Sequence, residues 1–152
     1  MPLLLVRHAV ALRRRDWSKP DHLRPLTPRG YAQADALVDV LEPYGVTRIL
    51  SSPYVRCVET VEPLAAKLGL PVETVDALAE GAGDDAALLV PAMQGAVVLC
   101  SHGDVIPELF DVLAPDADLT ELSFPCEKGS TWVVDDDRRR STYLAPPSTD
   151  PR

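Results

Sequence analysis

Leu3-Leu4-Leu5-Val6-Arg7-His8 opens on four consecutive apolar residues and closes on a basic pair. An unbroken apolar run of that length predicts a strand buried on both faces, the pattern of a parallel sheet. The construction recurs along the chain. Val46 to Leu50 is closed by Ser51-Ser52-Pro53, and Ala96-Val97-Val98-Leu99-Cys100 by Ser101-His102-Gly103-Asp104. Helical patterns separate these runs. Thr27 followed by Pro28 is a helix start. Tyr31, Ala34, Leu37, Val38 and Leu41 then recur at helical spacing up to the Pro43-Tyr44-Gly45 stop. A second helix is expected from about Pro53 to Leu68, stopped by Gly69 and bent or divided at Pro63. Strands alternating with helices predict one α/β domain.

The remaining segments fill in around that frame. Arg13 to Pro25 is polar and basic and reads as a long loop, and Pro71 to Val75 as a third short strand. Residues 76–85 form a Gly- and acid-rich loop, from which Asp84 or Asp85 caps a helix running to about Met93. A further helix is expected over Val105–Leu113. Thr131–Val134 and Ser141–Leu144 flank the charged run Asp135–Arg140 and read as a hairpin. The domain is expected to cover residues 1–145, with 146–152 a loose proline-bearing tail.

Composition narrows the function classes. The chain has 152 residues, 46% hydrophobic and 25% charged, enough for a self-sufficient core. A mean hydropathy of −0.01 and the lack of any run of 18 apolar residues argue against a membrane span. The apolar N-terminal run is too short for a signal peptide. Three scattered cysteines, Cys57, Cys100 and Cys126, give no disulfide framework, and the expected location is the cytoplasm. The net charge of −8 argues against binding a nucleic-acid polymer. That charge is segregated: residues 1–60 carry nine Lys and Arg against six Asp and Glu, whereas residues 61–152 carry six against seventeen. A basic front end on an acidic protein suits one anion site.

Ligands of open α/β sheets bind beyond the carboxyl ends of parallel strands. Those ends carry Arg7-His8, Ser51-Ser52-Pro53 with Arg56 in the next helical turn, and His102-Gly103-Asp104. Arginine offers a planar fork of donors that fits phosphate, and helix N-termini add backbone N–H groups. A histidine among arginines stays neutral and keeps a lone pair for attack on phosphorus. The same arginines stabilise charge on the transferring phosphoryl oxygens. Phosphoryl transfer needs such positioning and neutralisation more than it needs a metal. Histidines at 8, 22 and 102 have no ligand spacing, so neither metal nor cofactor is expected.

With these residues in place, Leu5-Val6-Arg7-His8-Ala9 resembles the signature of the histidine phosphatase superfamily, the phosphoglycerate-mutase-like fold. Arg24-Pro25-Leu26-Thr27-Pro28-Arg29-Gly30 with Gln33-Ala34 resembles its second block. Ser51 to Cys57 with Thr60 resembles the third, and Ser101-His102-Gly103 the fourth. The blocks stand in order over residues 3–104. Ala9 departs from the Gly usual after the first histidine. With the short chain, that is similar to the SixA branch and to the phosphatase domain of actinobacterial MutT-type proteins. In the latter an Arg-rich loop with Trp, here Arg13-Arg14-Arg15-Asp16-Trp17, precedes the second block.

The resemblance implies a three-layer α/β/α fold with a mostly parallel central sheet. It implies that His8 becomes phosphorylated and that Arg7, Arg56 and His102 hold the phosphoryl oxygens. Glu80 lies where many members place the proton donor, although a solvated loop carboxylate is an equal reading. Arg14, Arg24, Ser101 and Gly103 are candidate substrate contacts, and Arg13–Arg15 reads equally as a solvated charge run. The implied substrate is a phosphorylated small molecule, a nucleotide among them, or a phosphohistidine protein. A phosphate-binding module without turnover is the competing reading, and the oligomeric state is not encoded legibly. A cysteine phosphatase is excluded, because the positions six after each Cys hold Pro63, Ile106 and Trp132. Asp116-Ala117-Asp118-Leu119-Thr120 matches the aspartate-nucleophile pattern but follows Ala114-Pro115 rather than a strand, and reads as an acidic loop.

Overall fold

The apolar runs become the middle of one six-stranded sheet. The computed structural model describes residues 1–117 and 125–149. Strands β1 (Leu3–Arg7), β2 (Arg48–Ser51), β3 (Val72–Thr74) and β4 (Val97–Ser101) lie parallel in the order β3-β2-β4-β1. β5 (Thr131–Val134) and β6 (Ser141–Leu144) form the expected hairpin, which extends the sheet antiparallel beyond β1. Register sets Arg7 beside Ser101, and Ser51 beside Cys100, so three strand ends meet at one edge.

Period-two alternation then splits the apolar side chains between two cores. Leu3, Leu5, Val97 and Leu99 face one side and pack on α3 (Ile106–Leu113) through Ile106, Leu109 and Phe110. Leu4, Val6, Val98 and Cys100 face the other side. There they meet α1 (Pro28–Leu41) and α2 (Val55–Leu68) through Leu37, Leu41, Val61 and Leu64. Helices on both faces of a mostly parallel sheet make the three-layer α/β/α arrangement. Each fully buried leucine contributes roughly 1.5–3 kcal/mol through burial, and truncating one to alanine costs about 2–5 kcal/mol.

The caps explain the helix ends. The Thr27 hydroxyl accepts the Gly30 N–H at 3.0 Å and Pro28 fills the first turn. Gly69 ends α2 at φ 68°, where a side chain would be strained. Two expectations change. Pro63 does not divide α2, which runs unbroken from Val55 to Leu68 because Val61, Leu64 and Ala65 anchor both sides of it. The segment expected as an α-helix to Met93 is a 3-10 run, Gly83–Ala92, with Pro91 inside it. Three residues per turn align Ala86, Leu89 and Ala92 on one stripe, and these are the residues that pack on the core.

The long loop before α1 is more ordered than its polarity suggests. It contains two short 3-10 turns, Arg14–Asp16 and Asp21–Leu23, and is closed by a bridge between Ala11 and Leu26. Residues 145–149 have no regular structure, and 150–152 lie outside the described residues. The acidic-loop expectation for Asp116–Thr120 also falls largely outside them, since 118–124 are not described. No helix among the described residues is long and apolar enough to cross a membrane. All three cysteines are free, Cys57 and Cys100 fully buried.

Candidate active site

His8 directly follows β1, and its N–H donates to the Ser101 carbonyl at 3.1 Å, prolonging the β1–β4 ladder by one residue. Its Nδ1 lies 2.8 Å from the Ala9 carbonyl oxygen. A carbonyl only accepts, so the geometry assigns the ring proton to Nδ1 and leaves the Nε2 lone pair available. Burial is the main force that lowers the His8 pKa, to about 3. The Ala9 hydrogen bond opposes that shift, and the charges of His102, Arg56 and Arg7 add to it. The result is a neutral imidazole surrounded by cations.

The cations are held from behind. Arg7 Nη1 donates to the Cys126 carbonyl at 2.6 Å, and its guanidinium lies flat against Gly103. A Cβ at 103 would stand 2.9 Å from Arg7 Cζ, so glycine is what permits this approach. Arg56 leaves the first turn of α2 and is 1% exposed. Its Nη1 donates to the Asp21 carbonyl at 3.1 Å, and its Nη2 to Asp21 Oδ2 at 3.2 Å and Glu80 Oε2 at 2.9 Å. Arg24 Nε donates to Asp21 Oδ1 at 3.0 Å, and its Nη1 to the Leu12 carbonyl. Arg14 Nη2 meets Glu80 Oε1 at 3.0 Å. Burial alone would raise the Asp21 pKa; the Arg24 hydrogen bond and the charges of Arg56, Arg24 and Arg14 outweigh it and hold the carboxyl below its usual range.

His102 sits beside His8, with ring centroids 5.4 Å apart. Its Nε2 shares a 2.9 Å hydrogen bond with Ser52 Oγ, and Tyr54 packs edge-on against its ring. Among the described residues, His102 Nδ1, Arg7 Nε and Arg56 Nε are buried without a hydrogen-bond partner. Buried polar atoms are seldom left so. All three residues line one cavity, and the oxygens of a phosphoryl group would accept from such donors.

That cavity has a volume of about 550 Å³. It brings together His8, Arg7, Arg56, His102 and Glu80, with Arg14, Arg24 and Gly103 at its walls. Ser101 is a correction. The pleat turns its side chain to the α3 face, where the hydroxyl donates to the Leu78 carbonyl at 2.6 Å, so it is fully buried and does not reach the cavity. Three groups went unassigned from the sequence. Lys128 lines the cavity, its pKa lowered by burial first and then by Arg7, Arg24 and Arg56. It is the sole Lys or Arg between Lys67 and Arg138, a signal that was available. Asp104 also lines it, and accepts the Gly81 N–H at 2.9 Å. Asp21, inside an apparently featureless loop, gave no signal. Among the described residues, no group of three or more His, Cys, Asp or Glu is placed to hold a metal ion.

Fold and site together bring a neutral histidine, two arginines and a second histidine to one cavity at the ends of parallel strands. Residues 3–91 match the model of the histidine phosphatase superfamily (branch 1), and the chain belongs to that superfamily. It is similar to an 8-oxo-(d)GTP phosphatase of Mycolicibacterium smegmatis, 37% identical over 155 residues. That match covers 95% of this chain and 48% of the relative, so the chain spans about half that protein's length. Among solved structures it is similar to the SixA-type protein of Agrobacterium tumefaciens, with a TM-score of 0.73 and 26% identity over 96% of this chain and 98% of the other. The protein histidine phosphatase SixA complexed with tungstate shares the fold, with a TM-score of 0.71 and 21% identity over 95% and 94% of the two chains.

Proposed function

We propose that residues 1–145 form one catalytic unit that hydrolyses phosphoesters through a phosphohistidine on His8. The His8 Nδ1 hydrogen bond to Ala9 carries this reading, because it leaves Nε2 as a nucleophile among three phosphate-binding groups. The Nε2 lone pair attacks phosphorus as the bond to the leaving oxygen breaks. Arg7, Arg56 and His102 stabilise the charge on the equatorial oxygens. Glu80 supplies the proton to the leaving oxygen. In the second half, water attacks the phosphohistidine, Glu80 takes its proton, and the P–N electron pair returns to Nε2. The Arg7 and Arg56 guanidinium groups supply the positive charge, so the reaction in this reading runs without a metal.

The substrate in this reading is a phosphorylated small molecule. It is supported by the 37% identity to a nucleotide phosphatase. The competing substrate, phosphohistidine on a protein, is supported by the SixA-type likeness. The test is a panel of small phosphoesters and a phosphohistidine peptide, assayed with the native chain and with His8→Ala. Activity is expected to disappear with His8, and acid-labile phosphoenzyme to accumulate in native protein quenched during turnover. Undiminished activity in His8→Ala would overturn the reading. A folded native protein that binds vanadate yet turns nothing over would establish the binding-module alternative.

A further inference from the structure

The Arg13–Lys19 stretch is fixed in place. Arg13 pairs with Asp16 at 3.3 Å, and Arg14 with Glu80 at 3.0 Å. The Trp17 N–H donates to the Arg14 carbonyl at 3.2 Å, and its indole Nε1–H to the Pro20 carbonyl at 3.0 Å. The indole is therefore pinned at both its backbone and its ring edge. The Lys19 ammonium lies 5.6 Å from the ring centroid, over the π face. Arg14, Trp17 and Lys19, with Asp21 and Glu80, line a second cavity of about 390 Å³ that shares Arg14 and Glu80 with the catalytic one. Its two carboxylates, Asp21 and Glu80, are already engaged by Arg24, Arg56 and Arg14. What the annex offers a ligand is a rigid aromatic plane and a lysine, with Arg14, already paired to Glu80, at the wall it shares with the catalytic cavity.

We propose that this annex is the leaving-group subsite, and that it takes the nucleoside end of a nucleoside diphosphate. The inference deepens the phosphatase reading and rests on it. With the terminal phosphoryl group at His8, the inner phosphate falls at the shared wall, beside Arg14. The base stacks on Trp17 and displaces Lys19 from the ring face, which releases its ammonium to the inner phosphate. Every base has a π face, so stacking selects for an aromatic ring without selecting a sequence of functional groups. A pre-ordered indole loses little conformational freedom on binding, which favours affinity. Hydrolysis breaks the terminal P–O bond and releases a nucleoside monophosphate and, after the second half-reaction, inorganic phosphate.

The experiment measures binding rather than turnover. In His8→Ala, which cannot form the phosphoenzyme, dissociation constants are measured by calorimetry for guanosine diphosphate and for inorganic pyrophosphate. Pyrophosphate keeps the two phosphates and lacks the ring. Guanosine diphosphate is expected to bind at least about tenfold tighter, the scale of one stacked base. Adding Trp17→Ala should erase that advantage while pyrophosphate binding changes less than about twofold; Trp17→Phe should retain most of it. Equal binding of the two probes, equal loss for both on Trp17→Ala, or a phosphohistidine peptide that depends on Trp17 as strongly as the nucleotide, would overturn the subsite. Failure of the phosphatase reading looks different: the native chain would be inert toward every phosphoester while the ring advantage persisted.

Discussion

Gln33 Oε1 accepts the Val10 N–H at 2.9 Å, and the carbonyl of that same peptide unit, on Ala9, lies 2.8 Å from His8 Nδ1. A peptide that donates at its nitrogen is a stronger acceptor at its oxygen. The buried amide of Gln33 thus acts on the nucleophile without touching it. Its Nε2 reaches the Lys128 carbonyl at 3.5 Å, tying the loop that carries Lys128 to the loop that carries His8.

Gln33→Leu is therefore expected to shift part of His8 to the other tautomer, seen in ¹⁵N shifts of the ring. A fall in kcat on the order of tenfold with little change in KM should accompany it. Gln33→Glu keeps the acceptor and should keep most of the tautomer. An unchanged His8 tautomer in Gln33→Leu would reduce Gln33 to packing.

The lowered His8 pKa has a consequence for stability. Between its ordinary value of 6.5 and its folded value of about 3, the unfolded chain binds a proton at this residue that the folded chain refuses. More protons on the unfolded state mean that stability falls as pH drops through that window. The unfolding midpoint in urea should decline from pH 7 to pH 4, and His8→Asn, which removes the titrating group, should flatten part of the decline. Identical slopes for the two proteins would show that His8 is not the cause.

Gly103→Ala tests the contact with Arg7. The added methyl would stand 2.9 Å from Arg7 Cζ, while Arg7 Nη1 is tied to Cys126 at 2.6 Å. The guanidinium must shift, and a displacement near an ångström costs on the order of a hundredfold in rate. The expected result is a large drop in kcat/KM and weaker inhibition by inorganic phosphate, with a nearly unchanged melting temperature. Native kinetics would mean that Arg7 relaxes without consequence.

Glu80 touches both Arg14 and Arg56, so a proton donor and an arginine-positioning group are separable roles. Glu80→Gln keeps the shape and removes the proton. With an alkyl phosphate, a poor leaving group, the loss should be about 10²–10⁴-fold. With p-nitrophenyl phosphate, whose leaving oxygen needs little help, it should be much smaller. Equal losses for both substrates would assign Glu80 to holding Arg56 instead.

Much of the fold was legible because its signals are local. Leu3–Val6, Ala96–Cys100 and the 131–144 hairpin announce strands through short-range patterns, and Thr27-Pro28 and Gly69 announce helix ends. Where expectation failed, packing overrode local preference: Pro63 sits within an anchored α2, and Gly83–Ala92 winds as a 3-10 run that aligns Ala86 with Leu89. Arg13–Lys19 is ordered partly by neighbours, Arg13 with Asp16 and Trp17 with Pro20. It is ordered partly by the pairing of Arg14 with Glu80, which lies far away in the chain and leaves no local pattern.

The sequence by itself determined which chemistry is present: parallel strands ending in Arg7-His8 and Ser101-His102, with Arg56 one helical turn past a third. Strand formation and residue type are properties of short segments, so they can be read without the fold. The tertiary structure alone decided which side chains face the cavity. The pleat turned Ser101 toward Leu78, the 125–130 segment delivered Lys128, and the turn before α1 brought Asp21 to three arginines. Facing depends on pleat phase and on contacts between residues distant in sequence, and neither is carried by any single stretch of chain.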